Sequence, residues 1–242
     1  MSQRRTISIV EETGSTNADL AARLRSDDKP GEGTWLVARR QSNGRGRQAR
    51  EWESQDGNFA GSTLVELREG DPPPASLSFV AALAVAQTMD QALGGACRPK
   101  LKWPNDVMLD GGKASGILLE MVGDAVVVGI GVNLASAPDL PDRKTAALAD
   151  YDVMVPKVEI FAEALARVFE KYLAAWREEG LTRILQAFLH NSDHYTGAPL
   201  TVHDIDGSRL EGSFASLDPS DGALRLRLAD GSERVIRAGD IS

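Results

Sequence analysis

Apolar residues recur along this chain with two periods, and the changes of period mark its elements. Ile7 to Val10 is an apolar run of strand length. After it comes Ser15-Thr16-Asn17, and Leu20 and Leu24 then follow at helical spacing, so a helix opens there with Ser15 suited to capping its free amide groups. Pro30-Gly31 ends that unit. Trp35 to Ala38 reads as a short buried strand and Phe59 to Leu67 as an alternating one. The polar, glycine-rich stretch between them reads as a long loop, and long loops inside compact domains are commonly functional or mobile.

Asp71-Pro72-Pro73-Pro74 stops the second of these strands. Ser76 then begins a helix whose apolar positions surround Phe79, Leu83, Val85, Met89 and Leu93, and Gly94-Gly95 closes it. Leu101 to Trp103, Ile117 to Met121 and Ala125 to Leu134 are strand candidates, the last two joined by a turn at Gly123-Asp124. Val158 to Arg177 forms a long amphipathic pattern and Leu181 to Leu189 a shorter one. From Pro199 the character changes to four strand-like segments, Leu200 to His203, Leu210 to Ala215, Leu224 to Leu228 and Arg234 to Arg237, separated by Asp/Gly/Ser turns. The expected division is a mixed domain over 1–195 and a small all-β barrel over 196–242.

Composition narrows the class. With 242 residues, 42% apolar and 26% charged, collagen-like, low-complexity and largely disordered readings are excluded. A lone Cys97 excludes an intramolecular disulfide framework and a cysteine-only zinc site, which suits a reducing cytoplasm. The opening residues hold no apolar signal core and no run approaches membrane-span length, so neither Sec export nor a membrane span is expected. The formal charge of −8 disfavours broad attachment to nucleic acid, yet a local basic loop can still hold an anion.

Such a loop is Gly44-Arg45-Gly46-Arg47-Gln48-Ala49-Arg50-Glu51-Trp52. Its glycines allow close backbone approach, its three arginines offer forked donors for carboxylate or phosphate oxygens, and Trp52 offers a flat face to a base or ring. The alternative is a solvated basic loop or nucleic-acid patch. The dinucleotide fingerprint that it formally matches should open a helix, whereas Glu51 to Asn58 is polar and turn-like. A hairpin with its turn at Asp110-Gly111-Gly112 would bring Lys113 near Asn105 and Asp106, so that a cation, an amide and a carboxylate converge; ordinary turn residues are the competing reading. Gly129-Ile130-Gly131-Val132-Asn133 sits late in a strand, where glycines mark either close approach or packing. The phosphate-loop pattern is absent, and His190 and His194, four apart but without the zinc-protease glutamate, read as surface or interface residues. Cys97 reads as small buried packing.

Taken in order, Ser15-Thr16-Asn17, Gln41 to Trp52, Gly57-Asn58, Lys102 to Asp106, Lys113 to Glu120 and Gly129 to Asn133 resemble the catalytic core of biotin protein ligases, over almost the whole chain. The resemblance implies an α+β fold: a class II aminoacyl-tRNA synthetase-like catalytic domain with a mixed sheet, plus a small C-terminal SH3-like β barrel. It implies that biotin and ATP, with Mg²⁺, form biotinyl-5′-AMP, and that the acyl group passes to one lysine of a biotin carboxyl carrier protein or domain. The chain starts at that core, without room for the winged helix-turn-helix of family members that repress transcription, so no nucleic-acid partner and no membrane partner is expected; a homodimer is compatible with the resemblance.

Carried over by position, Ser15, Thr16, Asn17 and Gln41 would bind the biotin head group. Arg45, Gly46 and Arg47 with Lys113 would hold its carboxylate and the adenylate phosphate, Lys113 and Arg47 being the catalytic pair. Arg50, Trp52, Asn105 and Asn133 would border the nucleotide, with Trp52 near the adenine. Asp106 has two roles open to it, orienting a cation or assisting the incoming amine, and Gly116 has no assigned role. Two departures from the commoner family pattern stand out: Ala49 where a glycine is usual before the last arginine, and Phe59-Ala60 where Leu-Tyr is more usual. The rival readings are a lipoate or octanoate ligase on the same scaffold and a non-catalytic nucleotide or nucleic-acid binding module.

Overall fold

A computed structural model describes residues 5–26, 29–53, 55–203 and 208–242. The first apolar run becomes β1 (Thr6–Thr13), which pairs in parallel with β2 (Thr34–Gln41). A parallel pair needs a crossover, and α1 (Thr16–Leu24) supplies it. Ser15 is its N-cap, with Oγ accepting from the Ala18 N–H at 3.4 Å. The remaining neighbours are antiparallel: β3 (Phe59–Glu66), β4 (Lys100–Lys102), β5 (Asp106–Leu109), β6 (Gly112–Val122) and β7 (Ala125–Val132) complete a mixed sheet in the order β1-β2-β3-β7-β6-β5-β4.

Two expectations are corrected here. The single hairpin between Lys102 and Lys113 is two hairpins, because Asp106–Leu109 is a strand of its own between tight turns. Its four residues carry too little pattern to stand out from turns on both sides. β3 does not alternate between core and solvent: Phe59 to Val65 are buried throughout, since α1 covers one face and α3 (Val158–Glu178) the other. Strands covered on both faces lose the period-2 signal.

α2 (Leu77–Leu93) is apolar nearly all round and packs among the sheet, α3 and α4 (Leu181–His190). Gly94 ends it in the left-handed conformation at φ 56°. Edge-on rings lock the layer, Trp35 on Phe169 at 5.6 Å and Phe79 on Phe188 at 4.9 Å. Under α1, a smaller cluster of Leu20, Ala21, Leu36 and Val127 holds the other face. No helix among the described residues is long and apolar enough to cross a membrane.

The C-terminal segments form β8 (Pro199–His203), β9 (Arg209–Leu217), β10 (Leu224–Arg227) and β11 (Glu233–Ile236), and a fifth strand that the pattern did not reveal, β12 (Asp240–Ile241). They pair in the order β11-β10-β9-β8-β12. Their apolar face, including Leu200, Val202 and Phe214, joins the main core. The junction is specific: Trp103 Nε1 donates to the Gly222 carbonyl at 3.1 Å, and a Cβ on Gly222 would lie 2.4 Å from the Phe79 ring.

The two histidines, read as surface or interface residues, differ in their surroundings. α4 stops at His190, so His190 and His194 share no helical face. His190 is exposed, whereas His194 is half-buried, stacks on Phe214 and accepts the Trp103 N–H on Nε2 at 3.1 Å. Burial, with the nearby Lys102 charge, holds its pKa below the ordinary histidine value. Only the neutral ring accepts that bond, so the contribution is present above the unfolded pKa of about 6.5 and lost as pH falls below it. Thermal melts from about pH 7.5 to 5 should therefore show a fall in Tm that is smaller in His194→Gln.

Candidate functional site

A cavity of about 340 Å³ lies against the sheet where β3, β6 and β7 run side by side, below the start of α1. Missing side chains make its floor: Gly129 stands opposite Ser62 and Leu118, and Gly131 opposite Gly116. A Cβ on Gly129 would lie 2.3 Å from Asn17 Oδ1, and one on Gly131 would lie 2.2 Å from the Trp52 indole. The strand glycines thus serve close approach.

One end of the cavity is neutral and polar. Gln41, last residue of β2, accepts on Oε1 from the Thr16 backbone N–H at 2.8 Å, and the same Oε1 lies 3.0 Å from Thr16 Oγ1. Ser62 Oγ lies 2.7 Å from Thr16 Oγ1 and donates to Asn17 Oδ1 at 2.6 Å, while Asn17 Nδ2 donates to Glu120 Oε2 at 2.7 Å. Ser15, Thr16, Asn17 and Gln41 all line the cavity. Ser62 and Glu120 were assigned no role from sequence; only the strand register brings them behind the lining residues.

The other end is cationic. The arginine loop is folded back by the bridge between Arg45 and Glu51 and by a bond from Gly46 N to Arg50 O at 2.8 Å. It opens no helix beyond one tight turn at Arg47–Ala49, and its left-handed residue is Gln48 at φ 57°, not position 49. Gly44 is needed there, since a Cβ would lie 2.4 Å from the Trp52 carbonyl oxygen. Arg47 donates to Asn105 Oδ1 at 3.1 Å and to Gly239 O at 3.4 Å. Arg50 pairs with Asp240 of β12, which also lies 3.8 Å from Arg47. Burial pushes the Asp240 carboxyl up, but the bond and charge of Arg50, with Arg47 and Lys113, bring it below the ordinary value.

Lys113 Nζ lies 2.6 Å from Asp106 Oδ1. The contact is an ion pair outside hydrogen-bond geometry, which leaves that buried oxygen without a hydrogen-bond donor. The backbone of Lys113 is pinned on both sides, its N–H to Lys144 O at 2.9 Å and its carbonyl to the Ala146 N–H at 3.0 Å. Asn133 adds its Nδ2 to Ala146 O at 3.1 Å, and Asn105 donates its own Nδ2 to Ile117 O at 2.6 Å. These two asparagines border the cavity while their amide protons hold its walls together. Arg45, Gly46, Arg47, Arg50, Trp52, Lys113 and Gly116 also line the space, whereas Asp106 reaches it through Lys113.

Two contributors carried no sequence signal. Asp240 comes from the far end of the chain, and 138–145 provide Pro138, Leu140, Asp142, Arg143 and Thr145 from a stretch without a motif. Asn58 starts that stretch: its Oδ1 accepts the N–H groups of Leu134, Ala135 and Ser136 at 2.9, 2.9 and 3.2 Å, and its Nδ2 donates to Ser136 O at 2.8 Å. Among the described residues no group of three or more His, Cys, Asp or Glu side chains could hold a metal. The whole arrangement fits an elongated acid with a neutral polar head and an anionic tail, meeting a phosphate at the tail.

The sequence profile of the biotin/lipoate A/B protein ligase family matches residues 10–134. The chain is 39% identical to a biotin–(acetyl-CoA-carboxylase) ligase of Paracoccus denitrificans, over 95% of this chain and 97% of that one. It is 37% identical to the ligase of the same name from Mycobacterium tuberculosis, over 98% and 88%. Among solved structures, the biotin protein ligase of Aquifex aeolicus in complex with biotin and ATP superposes with a TM-score of 0.82 at 23% identity, covering 99% of this chain and 98% of that one. The Leishmania major ligase in complex with biotinyl-5-AMP follows at 0.70 and 25%, covering 98% and 100%.

Proposed function

Because this chain belongs to the biotin/lipoate A/B protein ligase family, we propose that it is an ATP-dependent biotin protein ligase, forming biotinyl-5′-AMP and then biotinylating a lysine of a biotin carboxyl carrier domain. The observation that carries this reading is one cavity with a neutral hydrogen-bonding end and a cationic end, joined by a glycine floor. A cyclic urea needs donors and acceptors around it when buried, and a carboxylate beside a phosphate needs cations.

In the first step a biotin carboxylate oxygen attacks the α-phosphorus of ATP, the bond to pyrophosphate breaks, and pyrophosphate leaves. Arg45, Arg47 and Lys113 hold the two anions together against their repulsion and face the charge that grows on the phosphoryl oxygens. In the second step the carrier amine attacks the acyl carbon, AMP leaves with the bonding electrons, and the nitrogen loses its proton. The protein needs no nucleophile of its own. Mg²⁺ would accompany ATP and offset phosphate charge; Asp106 and Asp240 are the carboxylates at this end that would hold it, in exchange for their present ion pairs with Lys113 and Arg50.

Trp52 lies on the Gly116–Gly131 floor and forms the wall nearest the nucleotide. The C-terminal sheet, read as the SH3-like unit, closes the cationic end through Asp240. Arg47→Ala removes both a cation and the ties to Asn105 and Gly239, so biotinyl-AMP should leak into solvent about tenfold faster, measured as adenylate released in the absence of carrier. The function itself is tested by pyrophosphate release from Mg²⁺-ATP with biotin, lipoate, octanoate or no acid. Release with biotin alone, and biotinyl-AMP by mass spectrometry, is expected; release with lipoate or octanoate alone overturns the reading.

A further inference from the structure

The hydrogen bonds at the neutral end can be counted proton by proton. The contacts run from Glu120 to Asn17 at 2.7 Å, Asn17 to Ser62 at 2.6 Å, Ser62 to Thr16 at 2.7 Å and Thr16 to Gln41 at 3.0 Å. Both amides are fixed by partners of one polarity. An ionised carboxylate only accepts, so Asn17 turns its NH₂ to Glu120 and its Oδ1 to Ser62. The Thr16 backbone N–H only donates, at 2.8 Å, so Gln41 turns its Oε1 to Thr16.

Between Asn17 Oδ1 and Gln41 Oε1 three contacts remain, and the two hydroxyls carry two protons. One contact must go without. Leaving either shorter contact bare would press lone pairs together at 2.6 or 2.7 Å, so the proton is missing from the longest, between Thr16 and Gln41. Ser62 then donates to Asn17 and Thr16 to Ser62, every donor in the chain pointing toward Glu120. Ser62 is wholly buried behind the wall, whereas Thr16 and Gln41 line the cavity, so the shortage falls where a ligand reaches.

We infer that Glu120 is a positioning residue that sets the polarity of this chain, leaving Thr16 and Gln41 as an acceptor pair that selects a ligand bearing ring N–H donors. The inference rests on the biotin reading, since the cyclic urea supplies those donors. The register makes it structural: Gly129, opposite Ser62 and Leu118, has no side chain and so leaves room for the Asn17 amide between Ser62 and Glu120. Chains of buried hydrogen bonds polarise one another, which carries the carboxylate's effect to the cavity.

Glu120→Gln offers Asn17 an NH₂ in place of a carboxylate oxygen and lets the chain reverse. The test compares KM for biotin with KM for its cyclic carbamate analogue, in which oxygen replaces one ureido N–H, in the parent, Glu120→Gln and Ser62→Ala. The parent should disfavour the carbamate strongly. In both variants KM for biotin should rise about tenfold with kcat nearly unchanged, and the carbamate-to-biotin ratio should collapse toward one. A merely structural role would lower Tm and leave the ratio alone. An unchanged ratio overturns the inference, and Ser62→Ala decides it if Glu120→Gln does not fold. A parent that uses biotin, with variants whose ratio matches it, overturns this inference alone; a parent that does not use biotin overturns the ligase reading with it.

Discussion

Replacing Lys113 by alanine is expected to slow adenylate formation by about 10²- to 10³-fold while shifting biotin affinity only a few-fold. The ammonium sits at the cationic end on a strand held from both sides, its backbone bonded to Lys144 and Ala146. Such a charge is placed before the reaction begins, so it stabilises the phosphoryl charge of the transition state without reorganising. Its removal also leaves Asp106 without its partner at 2.6 Å, adding a bare carboxylate beside the phosphates. Single-turnover quenched-flow with saturating ATP and biotin reads the step directly. A rate equal to the parent's would remove Lys113 from the chemistry. Lys113→Ala combined with Asp106→Asn should recover part of the loss, because the second change deletes the repulsion that the first creates.

The second large effect is on stability. Asn58→Ala should cost about 3 kcal/mol, because it removes the one buried oxygen on which three backbone N–H groups converge and leaves the buried Leu134 N–H without an acceptor. For a chain of this size that corresponds to a fall in Tm of roughly 6–12 °C. The same change frees the start of the stretch carrying Leu140, Arg143 and Thr145 to the cavity, so KM for ATP should rise as well. Asn58→Asp keeps the acceptor and should recover most of the thermal loss. Melting curves together with ATP titrations separate the two effects, and a variant that melts with the parent would show that the clamp is dispensable.

Asn58 also marks where sequence reasoning stops. It belongs to the Gly57-Asn58 pair that carried part of the family resemblance, but its work is to close a loop, which no spacing along the chain reveals. α1 was legible because its cap and its leucines are local. β5 was not, because four residues between two turns hold only two alternations, too few to stand out from turn sequence, and β12, with two residues, holds one. β3 reads as alternating from its residue types, yet helices on both faces bury all but its last residue. In the site, the basic loop and the Lys113 hairpin announced themselves through charge and glycine. Ser62, Glu120 and Asp240 did not, since their positions depend on strand register and on how the C-terminal sheet docks.

That docking has a practical side. Asp240 pairs with Arg47 and Arg50 of the loop, and beside its strand the N–H and carbonyl of Ser242 both bond to Thr201 at 2.9 Å. An affinity tag or fusion partner appended after Ser242 would hang from the rim of the cavity, pulling on the hydrogen bonds that keep this edge in place. Recombinant protein for kinetic work should be tagged elsewhere or have the tag removed, and an immobilised form should not be tethered through this end.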